Sequence, residues 1–353
     1  FVYDTSLLSK TAFLNLFQKN FIIADEGDIR ENVELCRNFT RKWYLFKQPY
    51  DGEFYTAGQG AYMYTAMPLY FYLGMLVLVL GQNSFSDLLF LFVILFGLFF
   101  TCMYRIIAEW YPAISKQYIF IILSLLCFIY VKIVARWGAE ALHADNLAAF
   151  FFMLGVYFLI EERYWLFAIF SLLSVFSRYI VIIYLGGILI AHPAAYRDMR
   201  RWIKTTLIAG GITALACVFL FLTAKYLGAL PYCGKEITAE YADRIEFFMS
   251  SLLNMTYLRM LAGKLKYLIF PLGLTTGFLW IGLCLKKDTK ATFLTYLWIF
   301  YLFFIALNLI IRNYYLIFPM TIFMCIPFGI LHTIQSRLMK KIWISASIVL
   351  SFT

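Results

Sequence analysis

The feature that most constrains this chain is a succession of long apolar blocks that carry almost no charge. The blocks are Ala61–Gly81, Phe85–Tyr104, Tyr118–Ala135, Leu147–Ile160, Tyr164–His192, Ile203–Leu230, Leu268–Leu285, Ala291–Ile311 and Tyr314–Ile334, and another begins at Ile342. A helix needs about 20 apolar residues to cross a bilayer, and most blocks approach or exceed that length. The sequence therefore predicts an all-α, polytopic helical membrane protein.

The composition agrees with this prediction. Hydrophobic residues make up 63% of the 353 residues and charged residues 14%, whereas a soluble domain is roughly 45–50% apolar and about 25% charged. These values exclude a disordered chain, a secreted disulfide scaffold and a cytosolic enzyme. We expect one domain over residues 1–353 with about 10–11 transmembrane helices. Because the chain begins at Phe1 and stops within an apolar run, we expect it to be truncated at both ends.

The net charge of +10 could indicate nucleic-acid binding, but in a membrane chain it indicates cytoplasmic loops, so no nucleic-acid partner is expected. Lysine and arginine cluster in residues 197–204, 286–290 and 337–341. The bias of basic residues toward the cytoplasm places these loops on the inner side. Counting spans from them predicts three outer loops, at 25–84, 136–146 and 231–266.

The block Tyr164–His192 is too long for one ordinary span and carries Arg178 near its centre. An arginine at mid-bilayer is costly and rare. We therefore predict two short helices that meet at Arg178 on the outer face, with Glu161–Arg163 on the inner face. The same counting predicts that Ala61–Gly81, whose first half is rich in tyrosine, lies in the outer interface, although a full crossing of this block remains open.

The acidic residues are concentrated in the first outer loop. Seven of the twenty carboxylates lie between residues 25 and 53. Asp25 and Glu26 directly follow the apolar Phe21–Ala24, so we expect a carboxylate pair at a membrane–water boundary. Solvation of the loop is the alternative explanation for the acids in this stretch, Asp25 and Glu26 included.

The second outer loop combines charges of both signs. Arg136, Glu140, His143 and Asp145 precede an unbroken apolar helix. Capping of that helix would account for Asp145 alone, but not for the other three. Acidic groups beside an arginine suit an acceptor that needs a base and an anionic leaving group.

Four segments together resemble the GT-C membrane glycosyltransferases, most closely the bacterial aminoarabinose transferases and protein O-mannosyltransferases. ADEGDIRENVE (24–34) is similar to the acidic motif of that family's first outer loop. PYDGEFYTAGQGAYMYTAMPLYFYLG (49–74) and ARWGAEALHADNLAAFFFML (135–154) resemble its next two conserved elements, and RNYYLIFPM (312–320) resembles a late one. Each motif is short, and the match depends on the four taken together.

The resemblance implies interfacial helices in the first outer loop and a sugar donor linked to polyprenyl or dolichyl phosphate. It also implies that Asp25 deprotonates the acceptor hydroxyl, with Glu26 beside it. A single displacement of this kind inverts the anomeric carbon and needs one carboxylate base. The expected location is the bacterial inner membrane, with the active site facing the periplasm. The sequence departs from the family at His143–Asp145, where related enzymes often have Arg-Pro-Asp. This departure puts in doubt whether the segment contacts the donor phosphate.

The leaving lipid phosphate needs fixed positive charge where negative charge develops. The outer basic candidates are Arg136, Arg178, Arg312 and Lys264. Simple snorkelling to the interface is the alternative for Arg178. Tyr179 and Tyr314 are candidates for stacking on the sugar, with core packing as their alternative.

A divalent cation is a further candidate, since Asp25, Glu26, Glu140 and Asp145 offer the hard oxygen ligands that hold Mg²⁺ or Mn²⁺. His143 lies between the last two in sequence and is a further candidate ligand. The spacing across two loops does not decide whether a metal is used.

Two other functions remain open. One is an oligosaccharide polymerase or ligase, which would also need outer arginines and acids. The other is a transporter or flippase of lipid-linked glycans, a class that places ionisable groups at mid-membrane and has internal repeats.

Overall fold

A computed structural model of the chain describes residues 68–70, 73, 85–136, 144–227, 289–308, 321–322, 324–333, 341 and 345. Within these ranges the backbone forms helices and short turns, and no strand occurs. The predicted all-α class is therefore confirmed for the part of the chain that the structure describes.

Eight helices of eight or more residues lie in these ranges. They are α1 (Phe85–Trp110), α2 (Lys116–Arg136), α3 (Ala144–Ile160), α4 (Tyr164–Ser177), α5 (Val181–Tyr196), α6 (Met199–Leu227), α7 (Thr289–Asn308) and α8 (Ile326–Thr333). The first seven coincide with apolar blocks of the sequence, and their ends differ from the block ends by at most six residues.

Helices α3 and α4 form a closely packed antiparallel hairpin. Small residues make the close approach of the two helices feasible: a Cβ atom on Gly155 would lie 3.1 Å from Ser171 Oγ. Ser174 Oγ donates a hydrogen bond of 2.6 Å to the Ala148 carbonyl across the same interface. Small residues and hydroxyls of this kind are typical of helix contacts inside membranes. The reversal between the helices places Glu162 in the left-handed region, at φ 58°.

The helical path is interrupted at Arg178, as the sequence predicts. Helix α4 ends at Ser177, and Arg178 is extended, with φ −159° and ψ 115°. Its backbone N–H still donates to the Ser174 carbonyl at 3.0 Å, which completes the last turn. Helix α5 then begins at Val181 and runs back along the bundle. The block Tyr164–His192 therefore contains two short helices rather than one long one.

The core of the bundle lies where α5 packs against α7. Tyr301 is fully buried and donates a hydrogen bond of 3.0 Å to the Tyr184 carbonyl. The rings of Tyr184 and Tyr301 meet edge to face at 4.8 Å, and Phe152 of α3 packs against both. Gly187 allows this contact, because a Cβ atom there would lie 2.5 Å from Phe300.

Helix α6 starts at a well-defined cap. Arg197 adopts a left-handed conformation (φ 52°), and the carboxylate of Asp198 accepts hydrogen bonds from the backbone N–H groups of Arg200 and Arg201, at 2.9 and 3.3 Å. These bonds satisfy N–H groups that a helix leaves free in its first turn. Trp202 Nε1 donates to the Leu189 carbonyl at 3.1 Å, which holds α6 against α5.

Among the described residues, one helix is both long and apolar enough to cross a membrane, Met199–Thr223 of α6. Only 22% of its most apolar stretch is buried inside the protein. Helices α3, α4 and α5 are apolar but shorter, with 17, 14 and 16 residues.

Candidate functional site

The structure describes four of the residues that the sequence nominates for chemistry. They are Arg136, as the last residue of α2, and Asp145, Arg178 and Tyr179. The other nominated residues lie outside the described residues, namely Asp25, Glu26, Glu140, His143, Lys264, Arg312 and Tyr314. Most of the first outer loop and all of the loop at 231–266 lie outside them as well.

The second predicted outer loop and the break between α4 and α5 are joined by an ion pair. Arg178 Nε lies 3.3 Å from Asp145 Oδ1. The side chain of Asp145 is 0% exposed and that of Arg178 is 9% exposed. Two residues that are 33 positions apart therefore meet at one end of the bundle, which we call the paired end. Both were predicted to lie on the same membrane face.

Local structure positions each member of the pair. Asp145 lies in the first turn of α3, where the helix dipole stabilises a negative charge. Arg178 follows Ser171, Ser174 and Ser177, which are buried at intervals of three along α4. The extended backbone at Arg178 ends the helix there, and this lets its side chain reach the neighbouring α3.

Burial makes this pair mutually dependent. Removing one partner of a buried ion pair leaves an uncompensated charge and typically costs about 3–5 kcal/mol. The pair accounts for Arg178 without snorkelling, because its guanidinium is held within the bundle rather than extended to an interface. Contact of Arg178 with a donor phosphate stays a prediction, and so does sugar stacking by Tyr179, which is half-buried next to the pair.

The direction of the chain places the C-terminal end of α2 near the paired end. Helix α2 follows α1 after the short turn 111–115, and its 21 residues rise about 31 Å. It ends at Arg136, with 137–143 alone separating it from the first residue of α3. Glu140 and His143 therefore lie between Arg136 of α2 and Asp145 of α3 in the sequence.

The opposite end of the bundle carries a network of polar contacts, which we call the basic end. Glu161 accepts a hydrogen bond from Trp110 Nε1 at 3.1 Å and pairs with Lys290 Nζ at 3.4 Å. Lys290 Nζ also lies 5.9 Å from the centre of the Trp110 ring. Tyr157 donates a 2.6 Å hydrogen bond to Glu109. Helices α1, α3 and α7 are joined at this point.

A second group of contacts at the basic end joins the α3–α4 turn to the start of α6. Arg201 forms an ion pair with Glu162 and another with Asp198, at 3.4 Å. Lys204 Nζ lies 5.5 Å from the centre of the Tyr164 ring. Residues from four segments that were predicted to be cytoplasmic (105–117, 161–163, 197–204 and 286–290) thus lie at one end. The segments that carry Asp145 and Arg178 lie at the other end. The side of a membrane on which each end lies stays a prediction.

Neither histidine that the structure describes joins a ligand group. His192 is buried between Tyr196, stacked at 4.8 Å, and Phe293 at 6.0 Å, and His332 packs against Tyr111 at 5.5 Å. Among the described residues, no three histidines, cysteines or carboxylates are grouped closely enough to hold a metal ion. Glu140 and His143 lie outside that search, so the predicted cation stays a prediction.

Sequence reasoning nominated Asp145 and Arg178 but missed that they pair, and it missed the contact of Glu161 with Lys290. The signal that could have predicted each pair is that its two members have opposite charges and lie at the ends of apolar blocks on the same predicted membrane face. A comparison with protein-family models, curated proteins and solved structures finds no match to this chain.

Proposed function

We propose that this protein is a polytopic membrane glycosyltransferase of the GT-C type. It transfers a sugar from a polyprenyl- or dolichyl-phosphate donor to a hydroxyl acceptor at the outer membrane face. The observation that carries the proposal is the position of the buried charges. In the described part of the chain, the buried charged side chains are Asp145 and Arg178, and both belong to the predicted outer end.

The membrane assignment is supported by the surface of α6. Leu207 is 69% exposed, and Leu215, Val218 and Leu222 on the same helix are also exposed. Soluble monomers rarely expose contiguous apolar patches of this extent, because water makes them costly. Lipid chains are a suitable environment for such a face. The small-residue contacts between α3 and α4 are the kind of packing that helices use in lipid.

The position of the charges also favours a transferase over a transporter. Transporters hold substrates and ions near mid-membrane, with ionisable groups in broken helices. Helices α3, α4 and α5 have a buried ion pair at one end, an ionic network at the other and aromatic packing between them. Chemistry at the outer end fits this distribution.

The proposed reaction is one displacement at the anomeric carbon. The Asp25 carboxylate accepts the proton of the acceptor hydroxyl while the acceptor oxygen bonds to the anomeric carbon. The bond from that carbon to the phosphate oxygen breaks, and the electron pair leaves with the lipid phosphate. The configuration inverts, because attack and departure occur on opposite faces. Glu26 lies beside the base in sequence.

The developing negative charge on the phosphate needs cations. Arg178 already has a carboxylate partner in Asp145. We therefore assign the main phosphate contacts to Arg136, Arg312 and Lys264. The Asp145–Arg178 pair instead holds the start of α3 in place.

The assay that tests the proposal follows sugar transfer from a purified polyprenyl-phosphate sugar to an acceptor in detergent. Asp25→Asn should lower the turnover rate at least about 100-fold, since a general base typically contributes 10²–10⁴-fold. Donor binding should persist. Asp28→Asn, three residues further along the acidic loop, is the matched control and should retain activity.

Normal transfer by both Asp25→Asn and Glu26→Gln would refute the assignment of the base. The flippase alternative would be favoured by two results together: the native protein transfers no sugar, and Asp25→Asn still moves the lipid-linked glycan across the bilayer of vesicles.

The arrangement in the membrane is tested by labelling single cysteines in intact cells. A cysteine at Asn83 should react with an impermeant reagent from outside. A cysteine at Ser115, which is exposed in the turn between α1 and α2, should react only after permeabilisation. Inner-side labelling at Asn83 would refute the predicted orientation of α1, whereas inner-side labelling of a cysteine placed before residue 61 would mean that Ala61–Gly81 crosses the membrane.

A further inference from the structure

We propose that the basic end contains a binding site for an anionic phospholipid, formed by the turn between α5 and α6 together with Arg163. The cations of the site are Arg163, Arg197, Arg200 and Lys204, which we call the basic cluster. The inference goes beyond glycosyl transfer. It depends on the membrane assignment and not on the sugar chemistry.

Contacts on the described residues bring the cluster together. The ion pair of Arg201 with Glu162 attaches the start of α6 to the α3–α4 turn, where Arg163 lies. Lys204 reaches back over the ring of Tyr164, 5.5 Å from its centre. The segment before α6 is only two residues long. The backbone of the cluster is therefore held on both sides.

The turn itself is rigid, which keeps the cations close to one another. Asp198 caps α6 through the backbone N–H groups of Arg200 and Arg201. The N–H of Arg197 donates to the Pro193 carbonyl at 3.1 Å and so ends α5. Side chains carried by such a backbone are pre-organised, so binding an anion requires little ordering of the chain.

The charges at this site do not balance. Arg201 is compensated by Glu162 and Asp198. The four side chains of the basic cluster are exposed. Among the described residues of this site, five cations therefore share two carboxylates, which leaves an excess of three positive charges. Gathered cations repel one another, and a phosphate that accepts charge-assisted hydrogen bonds from several of them would relieve the repulsion.

The apolar surface next to the cluster indicates that the phosphate belongs to a lipid. Met199, Ile203 and Leu207 are exposed at intervals of four on α6, so they form one stripe beside Arg200 and Lys204. Trp165, two residues after Arg163, is 66% exposed. Tryptophan is enriched at the headgroup level of membranes. Cations above an apolar stripe match a phosphate headgroup above its acyl chains.

The bilayer surface supplies such a ligand. Anionic lipids attract basic segments next to a transmembrane helix, and each basic residue near the surface contributes about 1 kcal/mol, or about fivefold in affinity. The cluster should therefore prefer an anionic phospholipid to a zwitterionic one.

The test titrates the full chain, purified in neutral detergent, with phosphatidylglycerol or phosphatidylcholine and counts bound lipid by native mass spectrometry. Phosphatidylglycerol should bind more tightly than phosphatidylcholine. The triple variant Arg163→Gln, Arg197→Gln, Arg200→Gln should lose about 100-fold in affinity for phosphatidylglycerol, given about fivefold for each of the three charges. The single variant Arg200→Gln, which is less disruptive to folding, should lose about fivefold.

The matched control removes three exposed charges elsewhere, by Arg105→Gln, Lys116→Gln and Lys225→Gln, and should keep the preference. An equal loss in the control would show a general charge effect and overturn the inference. Equal binding of both lipids would overturn it too, because the site would then not recognise the charge of the headgroup. Full competition by glycerol phosphate would also overturn it, because the site would then recognise a phosphate and not a lipid. These outcomes leave the transferase proposal intact, whereas a chain that is monodisperse without detergent would refute the membrane assignment itself.

Discussion

A methyl group added at Gly187 should disrupt the contact between α5 and α7, whereas the same change at Gly186 should not. A Cβ atom on Gly187 would lie 2.5 Å from Phe300 Cδ1 and 2.8 Å from Tyr301 Cε1, while a Cβ atom on Gly186 meets nothing within 4 Å. Because carbon atoms pack at about 3.5–4.0 Å, the Phe300 ring would have to retreat by about 1 Å.

The size of the effect follows from what holds these rings. Tyr301 is fully buried, and its hydroxyl donates to the Tyr184 carbonyl, so it cannot move without straining that bond. Overpacking a core costs about 1–3 kcal/mol, and a weakened buried hydrogen bond adds about 1 kcal/mol. Replacing glycine by alanine in a helix gains roughly 0.5–1 kcal/mol, and this gain is shared by both variants. Gly187→Ala should therefore be about 2–4 kcal/mol less stable than Gly186→Ala.

Thermal unfolding in detergent, followed by tryptophan fluorescence, measures the difference directly. At about 2–4 °C per kcal/mol, the Tm of Gly187→Ala should lie at least about 4 °C below that of Gly186→Ala. Equal melting temperatures would refute the close packing of α5 against α7. A Gly186→Ala variant that melts lower would show that this face of α5 is covered rather than open.

Two further predictions concern the two ends of the bundle. Asp145→Asn should destabilise the protein by about 3–5 kcal/mol, because it leaves the charge of Arg178 unpaired. Adding Arg178→Met to this variant should recover part of that loss. Additive losses in a double-mutant cycle would show that the pair contributes no coupling. Glu161→Gln keeps an acceptor for Trp110 but removes the charge opposite Lys290. Because this ion pair is partly exposed, the substitution should cost no more than about 1 kcal/mol of stability. A larger drop in thermal stability would mean that solvent does not screen the network.

The helices could be located from the sequence because their signal is local. Apolar blocks delimit α1 to α7 to within a few residues, and the break at Arg178 follows from the cost of an arginine inside a span. The eight-residue α8 could not be delimited in this way, because it occupies only part of the block Tyr314–Ile334. A block of uniform composition carries no mark of where its helix begins.

The pairing of side chains could not be predicted, because it depends on how helices rotate about their axes. The sequence nominated Asp145 for a metal and Arg178 for a phosphate, each by its residue type and its predicted side of the membrane. That they meet depends on the close packing of α3 against α4, which Gly155 and Ser171 permit. Asp25 and Glu26 lie outside the described residues, so their role stays a prediction.

If the protein spans a membrane as proposed, the shortness of α4 and α5 has a consequence for the bilayer around it. Their 14 and 16 residues rise about 21–24 Å, whereas the hydrocarbon core is about 30 Å thick. Local thinning is one way in which a membrane accommodates such a hydrophobic mismatch, at a fraction of a kcal/mol per Å. The outer leaflet would be drawn inward beside Arg178. A lipid-linked sugar that diffuses in that leaflet would then meet a shallow depression there, which lowers its phosphate toward the paired end.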